Sequence, residues 1–180
     1  MKAKILQPAY PVEETQESAI KCLEWMQQTI KAIQPGECDL LVLPEYSNCP
    51  GLSKHDDVLA ILAAQDHYGF LKNESRRIEA IVAAGIAENT GEGLRNRGVV
   101  FNKAGEIAGV ADKIHITAAE SSETGILAGD RVAIIETEDL RIAFAICFDM
   151  YFAEYFPALA RLNPDIIISP SYQRSETSDR

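Results

Sequence analysis

Several short runs in this sequence are apolar at nearly every position, so strands formed from them must be covered on both faces. Leu40–Leu43 (LLVL), residues 80–87 and residues 141–146 (RIAFAI) are runs of this kind. A helix packed on a sheet covers only one of its faces, so helices alone would leave the other face in water. A second sheet packed on the first removes that difficulty. The pattern therefore predicts an α/β fold with layers in the order α-β-β-α.

Longer amphipathic stretches separate the apolar runs. Residues 13–33 carry apolar side chains at helical spacing, and a Pro-Gly pair ends this predicted helix. Residues 55–77 are helical in tendency, with a predicted break near Gly69. A last helix is predicted over 152–162, with Pro157 near its middle. Alternation of these helices with the early strands predicts parallel β-α-β units.

The second half of the chain reads as hairpins. Runs at 98–101 and 107–111 flank an Asn-Lys-Ala-Gly turn, in which the glycine suits a positive φ. Runs at 132–136 and 141–146 form a second predicted hairpin, and 165–169 a last strand. Parallel units followed by hairpins predict a mixed sheet with helices outside.

Composition and charge exclude several classes of function. A length of 180 residues suits one domain, and 47% hydrophobic residues argue against wholesale disorder. The net charge of -10 would repel a phosphate backbone, so nucleic acid is not an expected partner. No apolar run is long enough to span a bilayer, and the apolar part of the N-terminus is too short for a signal peptide. The four cysteines fit no zinc spacing, so no metal site is expected, and the residues predict free thiols in a reducing cytoplasm.

Cys147 is the thiol whose position best suits chemistry. It stands where the predicted strand RIAFAI ends and a helix is expected to begin within a few residues. The positive end of a helix dipole would lower the pKa of such a thiol and favour the nucleophilic thiolate. The alternative is a small buried residue at the end of a strand, and the position alone favours that alternative.

Glu45 and Lys113 are the other candidates from the residues alone. Glu45 follows the strand LLVL and a proline, and ligand sites in α/β proteins gather at such strand ends. Taken alone, Glu45 is better explained as a solvated loop carboxylate or as a cap for a following turn. Lys113 follows a hairpin strand beside Asp112, so an ordinary surface ion pair is the simpler reading. His115 could form a cysteine–histidine pair, but a structural role is favoured for it.

Three segments together resemble the catalytic signatures of the nitrilase superfamily, the carbon–nitrogen hydrolases. LVLPEYSNCPG resembles its glutamate motif, VADKIHI its lysine motif and AICFDMYFAEYFPALAR its cysteine motif, in the family's order. Supporting matches are Arg95-Asn96-Arg97, Gly105-Glu106, Ala128-Gly129-Asp130 and Ile168-Ser169-Pro170-Ser171. The resemblance covers essentially the whole chain. It implies one carbon–nitrogen hydrolase domain over 1–180, with a four-layer α-β-β-α sandwich of the nitrilase type and mixed sheets.

The resemblance also implies an enzyme with a Glu-Lys-Cys triad and no cofactor. Cys147 would attack a small amide or N-carbamoyl substrate and form a thioester. Glu45 would act as general base, first for the thiol and then for water. Lys113 and the backbone N–H of Phe148 would stabilise the oxyanion.

Further site residues follow from the resemblance. Similar enzymes use a second glutamate between the lysine and the cysteine. Glu123 fits that role best by its distance from Gly129, and Glu120 is the competitor. Tyr151 and Ser171 are expected to line the substrate or oxyanion site.

The chain departs from the family pattern in two ways. Ala111-Asp112 replaces the usual aromatic–arginine pair before the lysine, and Tyr151 stands where many relatives have arginine. Family members are also substantially longer, so the domain is expected to be truncated at its C-terminal end. Exposed apolar surface would then need a partner. The resemblance itself implies a homodimer or higher homo-oligomer, because relatives usually pair through helices near the nucleophile.

Other functions stay open from the sequence. A catalytically silent or truncated relative could act by binding, and the same triad could serve nitrile hydrolysis or acyl transfer. A nucleotide-binding module is disfavoured because Gly91-Glu92-Gly93 lacks the third glycine and the helix start. Arg161, Arg174 and Tyr172 could meet an anionic substrate group, although ordinary surface ion pairs are favoured for the arginines.

Overall fold

The computed structural model describes residues 1–173, and in this part of the chain it contains nine strands and four α-helices. The helices are α1 (Gln16–Lys31), α2 (His55–Ala64), α3 (His67–Ile78) and α4 (Tyr155–Arg161). Two shorter helical segments cover Glu120–Thr124 and Cys147–Tyr151. The strands are β1 (Ala3–Ile5), β2 (Leu40–Leu43), β3 (Ile81–Asn89), β4 (Leu94–Phe101), β5 (Ile107–Asp112), β6 (Ile126–Leu127), β7 (Ile134–Glu136), β8 (Arg141–Phe144) and β9 (Ile166–Ile168).

The strands form two mixed sheets. The larger has the order β1-β2-β3-β4-β5, with β6 pairing alongside the start of β4. Its strands β1, β2 and β3 are parallel, as the early β-α-β units predict, while β4 and β5 are antiparallel neighbours. The smaller sheet has the order β7-β8-β9, with one antiparallel and one parallel pairing. The predicted mixed topology is therefore confirmed.

Side chains alternate between two cores along the central strands, which confirms the predicted four layers. In β2, Leu41 and Leu43 pack with α1, α2 and α3, whereas Leu40 points into a second core shared with the smaller sheet. In β8, Ile142 enters that same second core, whereas Ala143 faces α4. Because successive strand side chains point to opposite faces, one apolar run lines two cores. The layer order is α1–α3, larger sheet, smaller sheet, α4.

The two sheets approach each other closely at Gly98 in β4. A Cβ atom at this position would lie 2.5 Å from ring carbons of Phe144, which is inside van der Waals contact. The absent side chain therefore makes room for the Phe144 ring between the sheets, where that ring is 2% exposed. This contact fixes β8 over the centre of the larger sheet, and the nucleophile candidate follows β8.

Two helix predictions differ from the structure in instructive ways. The stretch 55–77 forms two helices, and the break falls at Asp66 rather than Gly69, because Asp66 Oδ1 accepts the Gly69 amide (2.8 Å) and caps α3. The stretch 152–162 starts its helix only at Tyr155. Pro157 consequently lies in the first turn of α4, where a missing N–H breaks no helical bond.

No helix within residues 1–173 has the length and hydropathy to cross a bilayer.

Candidate active site

The three residues of the predicted triad, Glu45, Lys113 and Cys147, line one cavity of about 520 Å³. Glu45 follows β2, Lys113 follows β5 and Cys147 follows β8, so each side chain is delivered by the end of a strand. Phe148 and Tyr151 line the same cavity. These three residues are more than thirty positions apart in the chain. The fold brings them together at the ends of strands from both sheets.

Glu45 and Lys113 form a buried ion pair at the base of the cavity. The Lys113 Nζ atom lies 2.8 Å from Glu45 Oε1, and the two residues are 1% and 2% exposed respectively. Asn96 Nδ2 donates to the same oxygen (2.8 Å), and the Tyr172 amide donates to the other carboxylate oxygen, Oε2 (2.8 Å). Both oxygens of Glu45 are therefore held by hydrogen bonds, which fixes the orientation of the carboxylate.

Glu120, and not Glu123, makes the second carboxylate contact with the lysine, so the preference for Glu123 is corrected here. Both oxygens of Glu120 accept hydrogen bonds from Lys113 Nζ, at 2.8 and 2.9 Å. Glu123 is exposed, although it still lines the cavity. Both glutamates belong to the helical segment Glu120–Thr124, and the phase of that turn directs Glu120 inward.

A sequence signal for Glu120 was present in Thr117-Ala118-Ala119-Glu120. The Thr117 amide donates to Glu120 Oε2 (2.8 Å), and the Glu120 amide donates to Thr117 Oγ1 (3.2 Å). This reciprocal pair is a capping box, whose sequence form is Ser or Thr followed three residues later by Glu or Gln. The box orients the Glu120 side chain back toward the start of the segment, where Lys113 lies.

Burial and charge set the protonation of this cluster. Burial raises the pKa of Glu45 above its ordinary value, and the attraction of Lys113 only partly opposes that effect. Burial alone would lower the pKa of Lys113, but the two carboxylates outweigh it and raise the pKa. Burial would likewise raise the pKa of Glu120, but Lys113 reverses this and lowers it. The lysine is therefore a permanent cation, and Glu45 is the carboxylate better suited to accept a proton.

Cys147 begins the helical segment after β8 with a left-handed backbone conformation, φ +44°. Its amide donates to Pro170 O (3.0 Å), and its thiol lies 3.8 Å from Tyr172 O as a weak donor. The predicted lowering of the thiol pKa by a helix dipole is wrong. Burial raises the pKa of Cys147 to about 12, and the neighbouring Glu45 carboxylate adds to this. The segment has only five residues, so its dipole is small, and the thiol needs a base.

Tyr46 is a site residue that the sequence did not indicate. It also has a positive φ, +57°, and its hydroxyl donates to Glu120 Oε1 (2.5 Å). Burial raises the pKa of the Tyr46 phenol well above its ordinary value, so the hydroxyl stays protonated as a donor. Left-handed conformations of residues other than glycine are unfavourable and cluster at functional sites. Here two of them, at Tyr46 and Cys147, flank one cavity.

Gly85 in β3 allows the loop after β2 to approach the sheet. A Cβ atom at Gly85 would lie 2.7 Å from the Cα atom of Glu45 and 2.9 Å from the Pro170 ring. Tyr10 secures the same loop from the other side, because its hydroxyl donates to the Glu45 carbonyl (2.7 Å). The backbone of Glu45 is therefore fixed as firmly as its carboxylate.

His115 has the structural role that the sequence favoured. Its backbone N–H and its Nδ1 both lie within 2.9 Å of Asp149 Oδ1, and its ring stacks on Phe152 with centroids 3.7 Å apart. Asp149 is fully buried and also accepts the Ile146 amide (3.2 Å). The pair therefore joins the loop that carries Lys113 to the turn that carries Cys147.

The remaining predicted residues are more peripheral. Ser171 is exposed and lines a smaller cleft of about 260 Å³ that also reaches Cys147 and Tyr151. Arg161 is exposed at the end of α4 and does not line the catalytic cavity, while Arg174 lies outside the described residues. Asp112, which departs from the family pattern, pairs with Arg97 (2.7 Å) on the neighbouring strand.

Comparison with known proteins places this chain in a family. The carbon-nitrogen hydrolase family model matches residues 3–180. The chain belongs to the carbon–nitrogen hydrolase family. The carbon–nitrogen hydrolase fold is also found in the crystal structure of Saccharomyces cerevisiae Nit3, described as a member of branch 10 of the nitrilase superfamily. That structure matches with a TM-score of 0.71 and 20% identity, covering 99% of this chain and 67% of Nit3.

Two curated relatives are longer than this carbon–nitrogen hydrolase chain. It is 23% identical to the "Hydrolase in agr operon" of Staphylococcus aureus, over 89% of this chain and 61% of that protein. It is 30% identical to the chloroplastic omega-amidase of Arabidopsis thaliana, over 64% of this chain and 35% of that protein. The chain thus spans less than two thirds of the length of either relative.

Proposed function

We propose that the chain hydrolyses a non-peptide C–N bond in a small amide or N-carbamoyl compound through a thioester on Cys147. The observation that carries this proposal is the meeting of Glu45, Lys113 and Cys147 on one cavity. A thiol with a raised pKa needs a base, and the cavity supplies an oriented carboxylate. Acyl transfer also needs positive charge near the developing oxyanion, and the cavity supplies one buried lysine.

In the first half of the reaction, Glu45 takes the proton from the Cys147 thiol as sulfur attacks the carbonyl carbon. The C=O pair moves onto oxygen, where the Lys113 ammonium and the Phe148 N–H stabilise the negative charge. The tetrahedral species collapses as the C–N bond breaks. The protonated Glu45 returns its proton to the leaving nitrogen, so ammonia or an amine departs and a thioester remains.

In the second half, water replaces the departed amine. Glu45 accepts a proton from this water as its oxygen attacks the thioester carbon, and Lys113 again faces the oxyanion. Collapse of the second tetrahedral species breaks the C–S bond and releases the carboxylic acid. The proton held by Glu45 then restores the thiol, so the proposed cycle uses only groups of this protein and no cofactor.

Glu120 acts in this proposal by holding the lysine. Its two oxygens and Glu45 Oε1 surround the ammonium, so Lys113 is directed toward the cavity instead of solvent. The name of the Arabidopsis relative, an omega-amidase, supports an amide over other acyl compounds as the substrate class. Nitriles and acyl transfer to an amine are the two reactions against which this choice is tested.

Ammonia release from a panel of amides, N-carbamoyl compounds and nitriles tests the function. We expect release from members of the first two classes and loss of all turnover in Cys147→Ala. Cys22→Ala is the matched control and keeps the wild-type rate, because Cys22 lies outside the catalytic cavity. Full activity in Cys147→Ala would contradict the mechanism. Stoichiometric labelling of Cys147 by iodoacetamide without any turnover would indicate a relative that acts by binding.

Three further proposals accompany this function. Residues 1–180 form one carbon–nitrogen hydrolase domain. The protein assembles as a homodimer or higher homo-oligomer. It works in the cytoplasm, a location consistent with four unpaired cysteines, since thiols persist in a reducing compartment.

A further inference from the structure

We propose that Asn96 is a positioning residue that holds the Glu45 carboxylate as the proton acceptor for Cys147. Asn96 belongs to β4 and is fully buried. Its side chain does not line the catalytic cavity, so its effect on the reaction passes through the carboxylates that it binds, with Glu45 as the one that accepts the proton. This inference rests on the proposed function, because it gives Glu45 the role of base.

The Asn96 amide bridges the two carboxylates of the site. Its Nδ2 atom donates to Glu45 Oε1 and to Glu120 Oε1, both at 2.8 Å. Lys113 Nζ donates to the same two oxygens, also at 2.8 Å. One neutral and one charged donor therefore lie between the same pair of acceptors. The amide supplies a second link between the carboxylates without adding a second positive charge.

The orientation of this amide follows from its surroundings. If the amide were turned by 180°, its oxygen would lie against two carboxylate oxygens at hydrogen-bond distance, which is repulsive. In the observed orientation Oδ1 is buried and accepts no hydrogen bond from residues 1–173. A buried asparagine with a purely structural role normally satisfies both ends, since an unpaired buried oxygen is unfavourable. Asn96 instead satisfies its donor end, at the carboxylates.

The backbone of Asn96 is part of the same arrangement. Its carbonyl accepts the Lys113 amide (2.8 Å), so the residue that binds the two carboxylates also fixes the start of the lysine loop. The Asn96 side chain and main chain therefore set the distance between Glu45 and its cation together.

The electrostatic surroundings of Glu45 explain why a neutral donor matters. Two buried carboxylates share one ammonium, so their mutual repulsion is only partly compensated. The hydrogen bond from Asn96 lowers the pKa of Glu45, against the dominant rise caused by burial. Among the described residues, the other groups that interact with Glu45 are Lys113, Glu120, Cys147, Cys49, Tyr46, Tyr10 and the backbone N–H of Tyr172.

The pH dependence of Cys147 alkylation by iodoacetamide tests the inference on the full chain, without requiring turnover. Below the pKa of the thiol, alkylation depends on Glu45 as base. The alkylation rate therefore rises with pH over the range in which Glu45 ionises, and this low-pH part of the rate profile is called the acidic limb. We expect Asn96→Ala to move this limb upward by about one pH unit, the size of one hydrogen bond to a charged group. Asn96→Asp has nearly the same shape but adds a third carboxylate, and its limb moves further upward.

Asn48→Ala is the matched control. Asn48 is also buried, at 3% exposed, but its amide binds the backbone of Ala87 at 2.7 and 2.9 Å. We expect this variant to lose stability and to keep the wild-type acidic limb. A limb unchanged in folded Asn96→Ala or Asn96→Asp overturns the inference. So does failure of both Asn96 variants to fold while Asn48→Ala folds, because Asn96 would then be structural.

The outcomes also separate this inference from the proposed function. If wild-type protein shows the acidic limb and the Asn96 shift but releases no ammonia from any amide, the hydrolase proposal fails and Asn96 keeps its role. If amides are hydrolysed but the limb does not move in the Asn96 variants, the positioning role fails and the hydrolase remains.

Discussion

Lys113 is a buried cation shared by two carboxylates, and its removal leaves two buried negative charges facing each other. At neutral pH we expect Lys113→Ala to lower the free energy of unfolding by about 3–5 kcal/mol, the range for breaking a buried ion pair from one side. In the variant the pKa values of Glu45 and Glu120 rise, so the folded state binds protons that the unfolded state releases. The loss in free energy of unfolding relative to wild type therefore becomes smaller as the pH falls toward 4.5. Urea unfolding at several pH values measures both effects.

Lys103→Ala is the control for this prediction. Lys103 pairs with Asp139 at the surface, at 2.5 Å and 37% side-chain exposure. Exposed ion pairs contribute at most about 1 kcal/mol, so this variant should differ little from wild type. An equal loss in both lysine variants would contradict the buried-pair argument.

His67 is a buried histidine that should make the protein sensitive to acid. It packs at 6% exposure against Ser47, and burial lowers its pKa from 6.5 to about 4. Between pH 6.5 and about 4 the unfolded state binds a proton at His67 that the folded state does not bind, so stability falls as the pH falls through this range. The contribution reaches at most about 3 kcal/mol. His67→Gln should flatten the stability curve between pH 6.5 and 4, and parallel curves for variant and wild type would refute the assignment.

At the scale of residues, the order of the three motifs is enough to predict Glu45, Lys113 and Cys147 as the residues of the site. Glu45, Lys113 and Cys147 each follow a strand, and strand ends from packed sheets converge. The choice between Glu120 and Glu123 could not be made from spacing, because it depends on the phase of one helical turn, which only the capping box with Thr117 fixes. The contribution of Tyr172 comes from its main chain, and main-chain atoms carry no sequence signal.

The loop after β2 depends on β3 for its position, and Gly85 is where the two elements touch. We expect Gly85→Ala to push the Glu45 backbone away from the sheet, since the added Cβ atom would lie 2.7 Å from Glu45 Cα. The rate of Cys147 labelling by iodoacetamide near neutral pH should fall at least about tenfold, because the base no longer reaches the thiol. Labelling kinetics followed by peptide mass spectrometry give the rate.

Gly91→Ala is the control for the element-scale prediction. A Cβ atom at Gly91 meets nothing within 4 Å, although the positive φ of +86° makes the substitution unfavourable. This variant should lose some stability and keep the wild-type labelling rate. If Gly85→Ala labels as fast as wild type, the close contact does not set the position of Glu45.

Elements with strong periodicity are predicted well, and short elements without it are not. The bounds of β2 agree with the predicted Leu40–Leu43 because both faces of that strand are buried, which leaves a continuous apolar run. The segment Glu120–Thr124 and the two-residue strand β6 have no apolar repeat long enough to detect. The place of β6 is set by its pairing with β4, which is about thirty residues earlier in the chain, and Glu120 is held by its contact with Lys113.

The whole molecule is asymmetric in how its sheets are covered. Three helices cover the six-stranded sheet, whereas the three-stranded sheet has only the seven-residue α4 on its outer face within residues 1–173. Ile167 and Phe156 on this side remain 43% and 38% exposed. Apolar residues left exposed in this way favour association with another surface.

We therefore expect concentration-dependent self-association through the outer face of the smaller sheet. Ile167→Lys should shift the protein toward monomer in sedimentation velocity, because it places a charge in the apolar contact. Ile107→Lys is the control, since Ile107 is 54% exposed on β5 in the other sheet and should leave association unchanged. If both variants weaken self-association equally, or if Ile167→Lys leaves it unchanged, the contact lies elsewhere.

The two main-chain contacts of Tyr172 with the site have a consequence for protein synthesis. Its amide binds Glu45 across 127 positions, and its carbonyl faces the Cys147 thiol. Glu45 and Cys147 therefore leave the ribosome before the residue that aligns them. Until β9 has joined its sheet and carried the following turn into place, the base of the growing chain lacks the hydrogen bond that holds Glu45 Oε2.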